Sequence, residues 1–170
     1  MKAILLLIAL SYCCFSSTQS VDPPFRPATT ALPLSVADIP TGPTVAGVFD
    51  GRTPCQEIAQ ALNRPVSSDC FKLKWRLVLY QHPQTRTHTT YRLEGTLYRQ
   101  RVREGSWTQK TGTKTDSTAT VYQLDLNDPN QSVYLMKGDE NVLFFLGKDR
   151  DLLIGNADFG YTLNRISPKK

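Results

Sequence analysis

The sequence predicts a mainly β protein: a small antiparallel barrel with one short helix near its N-terminal end. Apolar and polar residues alternate with a period of two between residues 70 and 165, which is the pattern of half-buried strands. Polar turns separate these segments without helical crossovers, so consecutive strands are expected to pair antiparallel. About eight or nine short strands would leave exposed sheet edges, and closing the sheet into a barrel removes such edges.

The first twenty residues have the layout of a secretory signal peptide. Lys2 provides a positive charge, an apolar run occupies residues 3–10, and small or polar residues fill 16–20. The apolar run is too short to span a bilayer permanently. We therefore predict that the protein is exported to the bacterial envelope or periplasm and that residues 1–20 are the signal peptide.

Two modes of processing remain open for this segment. Cys13 and Cys14 are candidate lipidation sites, and a lipidated cysteine would make the mature protein a lipoprotein of the outer membrane or another envelope layer. Thr18 and Ser20 instead offer a small-x-small cleavage site that ends at Ser20. The first mode anchors the protein to a membrane, and the second releases it.

Residues 21–43 are predicted to form an extended linker, and the folded domain is predicted to cover residues 44–167. The linker is rich in proline, alanine and threonine and lacks apolar periodicity. Its prolines are Pro23, Pro24, Pro27, Pro33, Pro40 and Pro43.

The domain begins with a short strand at residues 47–51 and the one helical signal of the mature chain. Thr53 is a good N-cap residue, Pro54 suits the first helical position, and Gln56 completes a capping box with Thr53. The helix would end before Pro65 and would cover or plug one side of the sheet.

The remaining elements are predicted strands. Residues 70–80 alternate between an apolar face, which includes Phe71 and Trp75, and a largely polar face. A turn at residues 82–84 separates this strand from the next. The later strands are expected at residues 89–99, from 105 onward, and at 118–126, 132–137, 141–146, 152–154 and 161–163.

Cys55 and Cys70 are the cysteines that remain beyond the signal peptide. An even pair in an exported chain favours a disulfide, and closing this loop would contribute roughly 3 kcal/mol. The competing interpretation is a pair of free thiols. Together with Met136 these would suit Cu(I), because soft sulfur ligands prefer that ion. No other cofactor is predicted.

The sequence contains no motif of a known catalytic site, and we predict that the protein is not an enzyme. His82 and His88 flank a turn, where exposed loop residues are common. The formal net charge of +5 is spread along the chain, so a nucleic-acid partner is not expected.

Aromatic residues indicate where a ligand would bind. Trp75, Trp107 and Phe144 are predicted to line a pocket in the barrel interior or at its mouth. Because Phe144 and Phe145 are adjacent in a strand, they face opposite sides of the sheet, and one of them is expected near the surface.

Residues 46–165 resemble the N-terminal domain of the NlpE family of envelope lipoproteins. The resemblance rests on the opening motif at residues 47–55, on Gly105-Ser106-Trp107 and on the closing Tyr161-Thr162-Leu163. It implies a lipocalin-like barrel linked to copper tolerance and to sensing of adhesion or envelope stress. Ile58 stands where the family commonly has a second cysteine, so a copper role based on a close cysteine pair is not expected.

Three functions follow as hypotheses. The first is a non-enzymatic envelope protein of NlpE-like type that acts in copper or stress response through binding, with an envelope signalling protein as its partner. The second is a carrier module that binds a small apolar ligand in the barrel. The third is a Cu(I) chaperone that uses Cys55 and Cys70.

Overall fold

The computed structural model describes residues 39–98, 102–125 and 131–168. The predicted signal peptide, its candidate lipidation sites Cys13 and Cys14, and most of the predicted linker lie outside these ranges. Among the described residues, no helix has the length and apolar character needed to span a bilayer.

Eight antiparallel strands form a closed barrel in which each strand pairs with the next and β8 returns to β1. This confirms the predicted fold class. The strands are β1 (Val45–Thr53), β2 (Leu73–Gln81), β3 (His88–Gly95), β4 (Arg103–Thr111), β5 (Thr120–Leu124), β6 (Val133–Lys137), β7 (Val142–Leu146) and β8 (Thr162–Arg165). Helix α1 (Gln56–Ala61) connects β1 to β2, and a 3₁₀ turn at Thr96–Tyr98 follows β3.

Alternating side chains fill the barrel interior. The inward positions of β2 carry Leu73, Trp75, Leu77 and Leu79, each at most 3 % exposed. The barrel closes where β1 pairs with β8, with Phe49 opposite Arg165 and Gly51 opposite Leu163. Burial of this apolar face is the main driving force for the fold.

The two ends of the barrel differ. At one, which we call the helix end, α1 and long loops connect the strands, and Ile58 and Leu62 pack into the core. The predicted plugging role of the helix agrees with this packing. At the opposite end, the hairpin end, the connections are residues 82–87, 112–119 and 138–141.

The predicted start of the helix is wrong. Thr53 belongs to β1, where it is buried and its Oγ1 accepts a hydrogen bond from Trp75 Nε1 at 2.9 Å. Helix α1 begins at Gln56, and its N-cap residue, Cys55, makes no side-chain capping bond. Gln56 instead donates through Nε2 to the carbonyl of Ser67. The capping box does not form because the strand continues through Thr53.

Several predicted strands have different bounds. Leu152 forms only an isolated bridge with Leu146, and Ile154 is 84 % exposed, so the predicted strand at 152–154 is wrong. Strand β2 begins at Leu73, which leaves Phe71 outside the sheet and 58 % exposed. The strand predicted at 89–99 ends at Gly95, where the 3₁₀ turn begins.

The outer face of β2 was predicted to be largely polar, but part of it is covered by apolar side chains. Val78 is buried in a small cluster with Ile39 and Val48 on the outside of β1 and β2. The backbone N–H of Gln81 donates to the Thr44 carbonyl, which fixes the approach to β1. These contacts place residues 39–43, which the sequence assigned to the linker, against the barrel.

Candidate functional site

Cys55 and Cys70 form the predicted disulfide, with their Cα atoms 5.8 Å apart. They lie on either side of α1 at the helix end of the barrel. The bridge therefore ties the start of the helix to the segment that leads into β2, and holds the helix against the core.

The predicted copper ligands are not assembled. The disulfide consumes both thiols, and Cu(I) coordination requires thiolates. Met136 pairs with Val121 and Phe144 on the outer face of β6, and it is not part of the core cluster that contains the cysteines. No group of three or more metal-ligating histidine, cysteine or carboxylate side chains occurs within the part of the chain that the structure describes.

The three predicted pocket residues do not share one pocket. Trp75 and Trp107 point into the barrel, where they are 1 % and 3 % exposed. Phe145, not Phe144, occupies the inward position of β7, with its ring centroid 5.3 Å from that of Trp75. Phe144 lies on the outer face and would contact a side chain at Gly138. The prediction that these two phenylalanines face opposite sides is correct, but Phe144 was the wrong choice for the pocket.

A set of inward-facing residues gathers instead at the hairpin end. We call the set His88, Trp107, Tyr122, Lys137 and Arg165 the mouth cluster. The His88 and Trp107 rings stack at a centroid distance of 3.9 Å and an angle of 30°. Tyr122 meets Trp107 edge to face at 5.0 Å. Strands β3, β4 and β5 thus each contribute one ring to a continuous aromatic surface.

Hydrogen bonding holds the central ring of this surface. Trp107 Nε1 donates to the carbonyl of Tyr80 at 2.7 Å, which links β4 to the end of β2 across the barrel. Because the indole is nearly fully buried, it forms the floor of the mouth, and the exposed His88 ring lies on it from the solvent side.

Two cations complete the mouth cluster. Lys137 ends β6 and forms an ion pair with Glu140 in the following turn. Arg165 ends β8, and its guanidinium lies 4.7 Å from the Phe49 ring centroid. Its Nη1 also donates to the Ala46 carbonyl at 3.1 Å. These contacts hold both charges at the rim of the barrel.

The environment sets the charge of each group. Burial raises the pKa of the Tyr122 phenol and lowers the pKa of the His88 imidazole. The hydrogen bond between Lys137 and Glu140 raises the pKa of the amine and lowers that of the carboxyl. At neutral pH the mouth cluster therefore carries two cations beside uncharged aromatic rings, and the carboxylates of Asp139 and Glu140 lie in the turn after Lys137.

The alternation of inward residues along β6 and β8 could have predicted two members of the mouth cluster, Lys137 and Arg165. The alternation Val133, Leu135, Lys137 continues the inward side of β6 into a charged residue, and Leu163 to Arg165 does the same in β8. His88 had no such signal, because an irregularity in the pairing of β2 and β3 shifts its register.

The comparison with protein families, with curated proteins and with solved structures finds no match for this chain.

Proposed function

We propose that this chain is an exported, non-enzymatic envelope protein of NlpE-like type, and that it acts by binding a small ligand at the mouth of its barrel. The observation that carries the proposal is the aromatic surface formed by His88, Trp107 and Tyr122 beside the charges of Lys137 and Arg165. Small-molecule sites commonly combine an apolar lining with a few convergent polar groups, and barrel mouths are among their usual places.

The chemistry of the mouth favours a planar, largely apolar ligand with a negatively charged substituent. A planar body would stack on the aromatic surface, because offset and edge contacts between rings are favourable. The substituent would lie beside the Lys137 amine and the Arg165 guanidinium at the rim. Core side chains occupy the barrel below, so the ligand would sit at the rim.

One observation supports export within this proposal. The Cys55–Cys70 disulfide is typical of proteins in oxidising compartments.

The resemblance to NlpE adds a proposed biological role. Ligand binding would serve as the input to a copper or envelope-stress response, with an envelope signalling protein as the partner and a lipid anchor at Cys13 or Cys14 as one means of attachment. The Cu(I) chaperone remains the alternative for the reduced protein, because reduction of the disulfide would release the thiols of Cys55 and Cys70.

Titration with 8-anilinonaphthalene-1-sulfonate, an aromatic sulfonate with a planar naphthalene ring, tests the mouth as a binding site. We expect saturable binding at one site and a loss of affinity of about tenfold in Tyr122→Ala, which corresponds to about 1.4 kcal/mol. Tyr134→Ala is the matched control, because Tyr134 lies on the outer face of the neighbouring strand β6. Near-ultraviolet circular dichroism of each variant establishes that it is folded.

Two results would overturn the proposal. Non-saturable fluorescence in the folded protein would show that no defined site exists. An equal loss of affinity in Tyr122→Ala and Tyr134→Ala would place the binding of the dye away from the mouth.

A further inference from the structure

A second concave surface lies on the outer face of the barrel, near the helix end. It is a groove of about 540 Å³ whose floor is formed by β8, β1 and β2 and one wall by residues 158–160. Arg52, Lys74 and Thr162 line the floor, and Asp158 and Phe159 line the wall. The groove is separate from the mouth cluster, which faces inward at the hairpin end.

Two like charges lie side by side in this groove. Arg52 and Lys74 are directly paired residues of β1 and β2, so their side chains project from the same face. Like charges at such a position are destabilising. Within the described residues, neither side chain has an ion pair or a hydrogen bond. The groove therefore carries two adjacent, exposed cations that form no ion pair with a described residue.

The next outward-facing pair of residues on β1 and β2 carries opposite charges. Asp50 and Arg76 are also paired residues, and they form two hydrogen bonds of 2.8 Å between guanidinium and carboxylate. Asp50 is thus already neutralised and contributes no free negative charge to the groove. Arg52 and Lys74 have no such partner among the described residues and are therefore the cations of the groove that are open to a bound anion.

Asp158 on the wall does not cancel both cations. It is exposed and belongs to a turn in which Asn156 Oδ1 accepts hydrogen bonds from the backbone N–H groups of Asp158 and Phe159. One carboxylate against Arg52 and Lys74 leaves an excess of positive charge. Lys72, with Nζ 6.0 Å from the Phe159 ring centroid, adds a further cation behind the wall.

We propose that this groove binds a phosphate ester. The guanidinium of Arg52 presents parallel donors for two phosphate oxygens, and Lys74 supplies a point charge for a third. Thr162 comes one position beyond the pairing of Leu163 with Gly51, so it lies at the backbone position next to Arg52 and offers its hydroxyl as a further donor. A carboxylate would satisfy fewer of these donors than a phosphate does.

Aromatic residues indicate that the ester carries an apolar group. Phe159 lines the groove, and Phe71 packs edge-on against it at a centroid distance of 5.3 Å. Phe71 lies outside the sheet and stays 58 % exposed, so this aromatic pair is accessible from solvent. A phosphate group occurs both in soluble monoesters, which have three non-bridging oxygens, and in phospholipid diesters, which have two, so the test has one arm for each source.

The test uses the mature protein, phenyl phosphate in solution, and vesicles of phosphatidylglycerol compared with phosphatidylcholine. We expect the double variant Arg52→Gln/Lys74→Gln to weaken binding at least tenfold. The double variant Lys110→Gln/Lys148→Gln removes the same charge at exposed positions outside the groove and is expected to change binding less than twofold. Calorimetry measures the first ligand, and co-sedimentation measures the second.

Each outcome decides the proposal. Binding of phenyl phosphate alone identifies a soluble ester, and binding to phosphatidylglycerol vesicles alone identifies a headgroup. Failure of both ligands to bind overturns the proposal, as does an equal loss in the two double variants, which would indicate a diffuse effect of net charge. Tyr122→Ala keeps the groove intact, so its effect on dye binding separates this proposal from that of the mouth.

Discussion

Thr53 illustrates how a single side chain alters the path of the chain. As a helix cap it would face solvent, but in the structure it is an inward residue of β1 whose hydroxyl contacts the Trp75 indole. Threonine is a suitable residue both for a helix N-cap and for a β-strand. The burial of Trp75 selects the second, because a tryptophan N–H inside a core usually finds an acceptor.

We predict that Thr53→Val destabilises the domain by about 1–2 kcal/mol, because it removes a buried hydrogen bond without a large change in volume. Thr53→Ser keeps the hydroxyl and serves as the control. Urea unfolding followed by tryptophan fluorescence measures both variants. Equal stability of Thr53→Val and the native protein would show that the bond contributes nothing.

His88 makes the stability of the protein depend on pH. Burial lowers the pKa of its imidazole, so below the unfolded value of 6.5 the unfolded chain binds a proton more readily than the folded one. The contribution of His88 to the free energy of unfolding therefore decreases as the pH falls from 7.5 through 6.5 and below. We expect His88→Gln to reduce this decrease.

The matched control for that measurement is His82→Gln, at the other end of the same turn. Its side chain accepts a hydrogen bond from Thr85 and does not stack on a ring. Urea unfolding at pH 7.5, 6.5 and 5.5 gives the slope for each variant. If both variants keep the native slope, the stacked histidine is not the group that titrates.

Among the elements, strands β1 and β8 approach each other closely at the seam where the barrel closes. Gly51 lies opposite Leu163, and a Cβ atom at this glycine would lie 2.6 Å from Leu163 Cδ2 and still closer to the Thr162 carbonyl oxygen. A backbone atom cannot move aside as a flexible side chain can. Any residue other than glycine would therefore push the two strands apart where the barrel closes.

We expect Gly51→Ala to destabilise the domain by at least about 2 kcal/mol, because the overlap involves backbone within a packed core. Gly160→Ala is the control, since the nearest atom to its added Cβ would lie at an ordinary 3.7 Å. Thermal unfolding compares the two. A similar loss in both variants would show that the seam tolerates a side chain.

Which elements could be predicted depends on how much of the information is local. The strands around Trp75, Leu135 and Leu163 follow from alternation, because each inward residue repeats every second position. Leu152 and Ile154 imitate a strand by composition, yet they lie in a loop with no partner strand. Whether a short apolar segment joins a sheet depends on the strands that lie beside it in space. The sequence of the segment alone does not identify those strands.

At the level of the whole molecule, the candidate site was only partly accessible from the sequence. The sequence predicts Trp107 as a pocket residue, and the structure stacks it against His88 in the mouth cluster; its role in ligand binding stays a prediction. Lys137 and Arg165 are not predicted as pocket residues, although both lie close enough to Tyr122 to oppose the rise in its pKa that burial causes. They join the site only through barrel closure, which brings the ends of β6 and β8 to the aromatic rings of β3, β4 and β5.

The return of β8 to β1 also makes the two ends of the domain neighbours. The backbone N–H of Ile166, just beyond the last strand, donates to the carbonyl of Val48 in the first. A short peptide could therefore join these ends, and the chain could be opened instead in the exposed turn at residues 83–85. Such a circular permutant would keep every strand pair of the barrel while giving the protein new termini at the opposite end from α1.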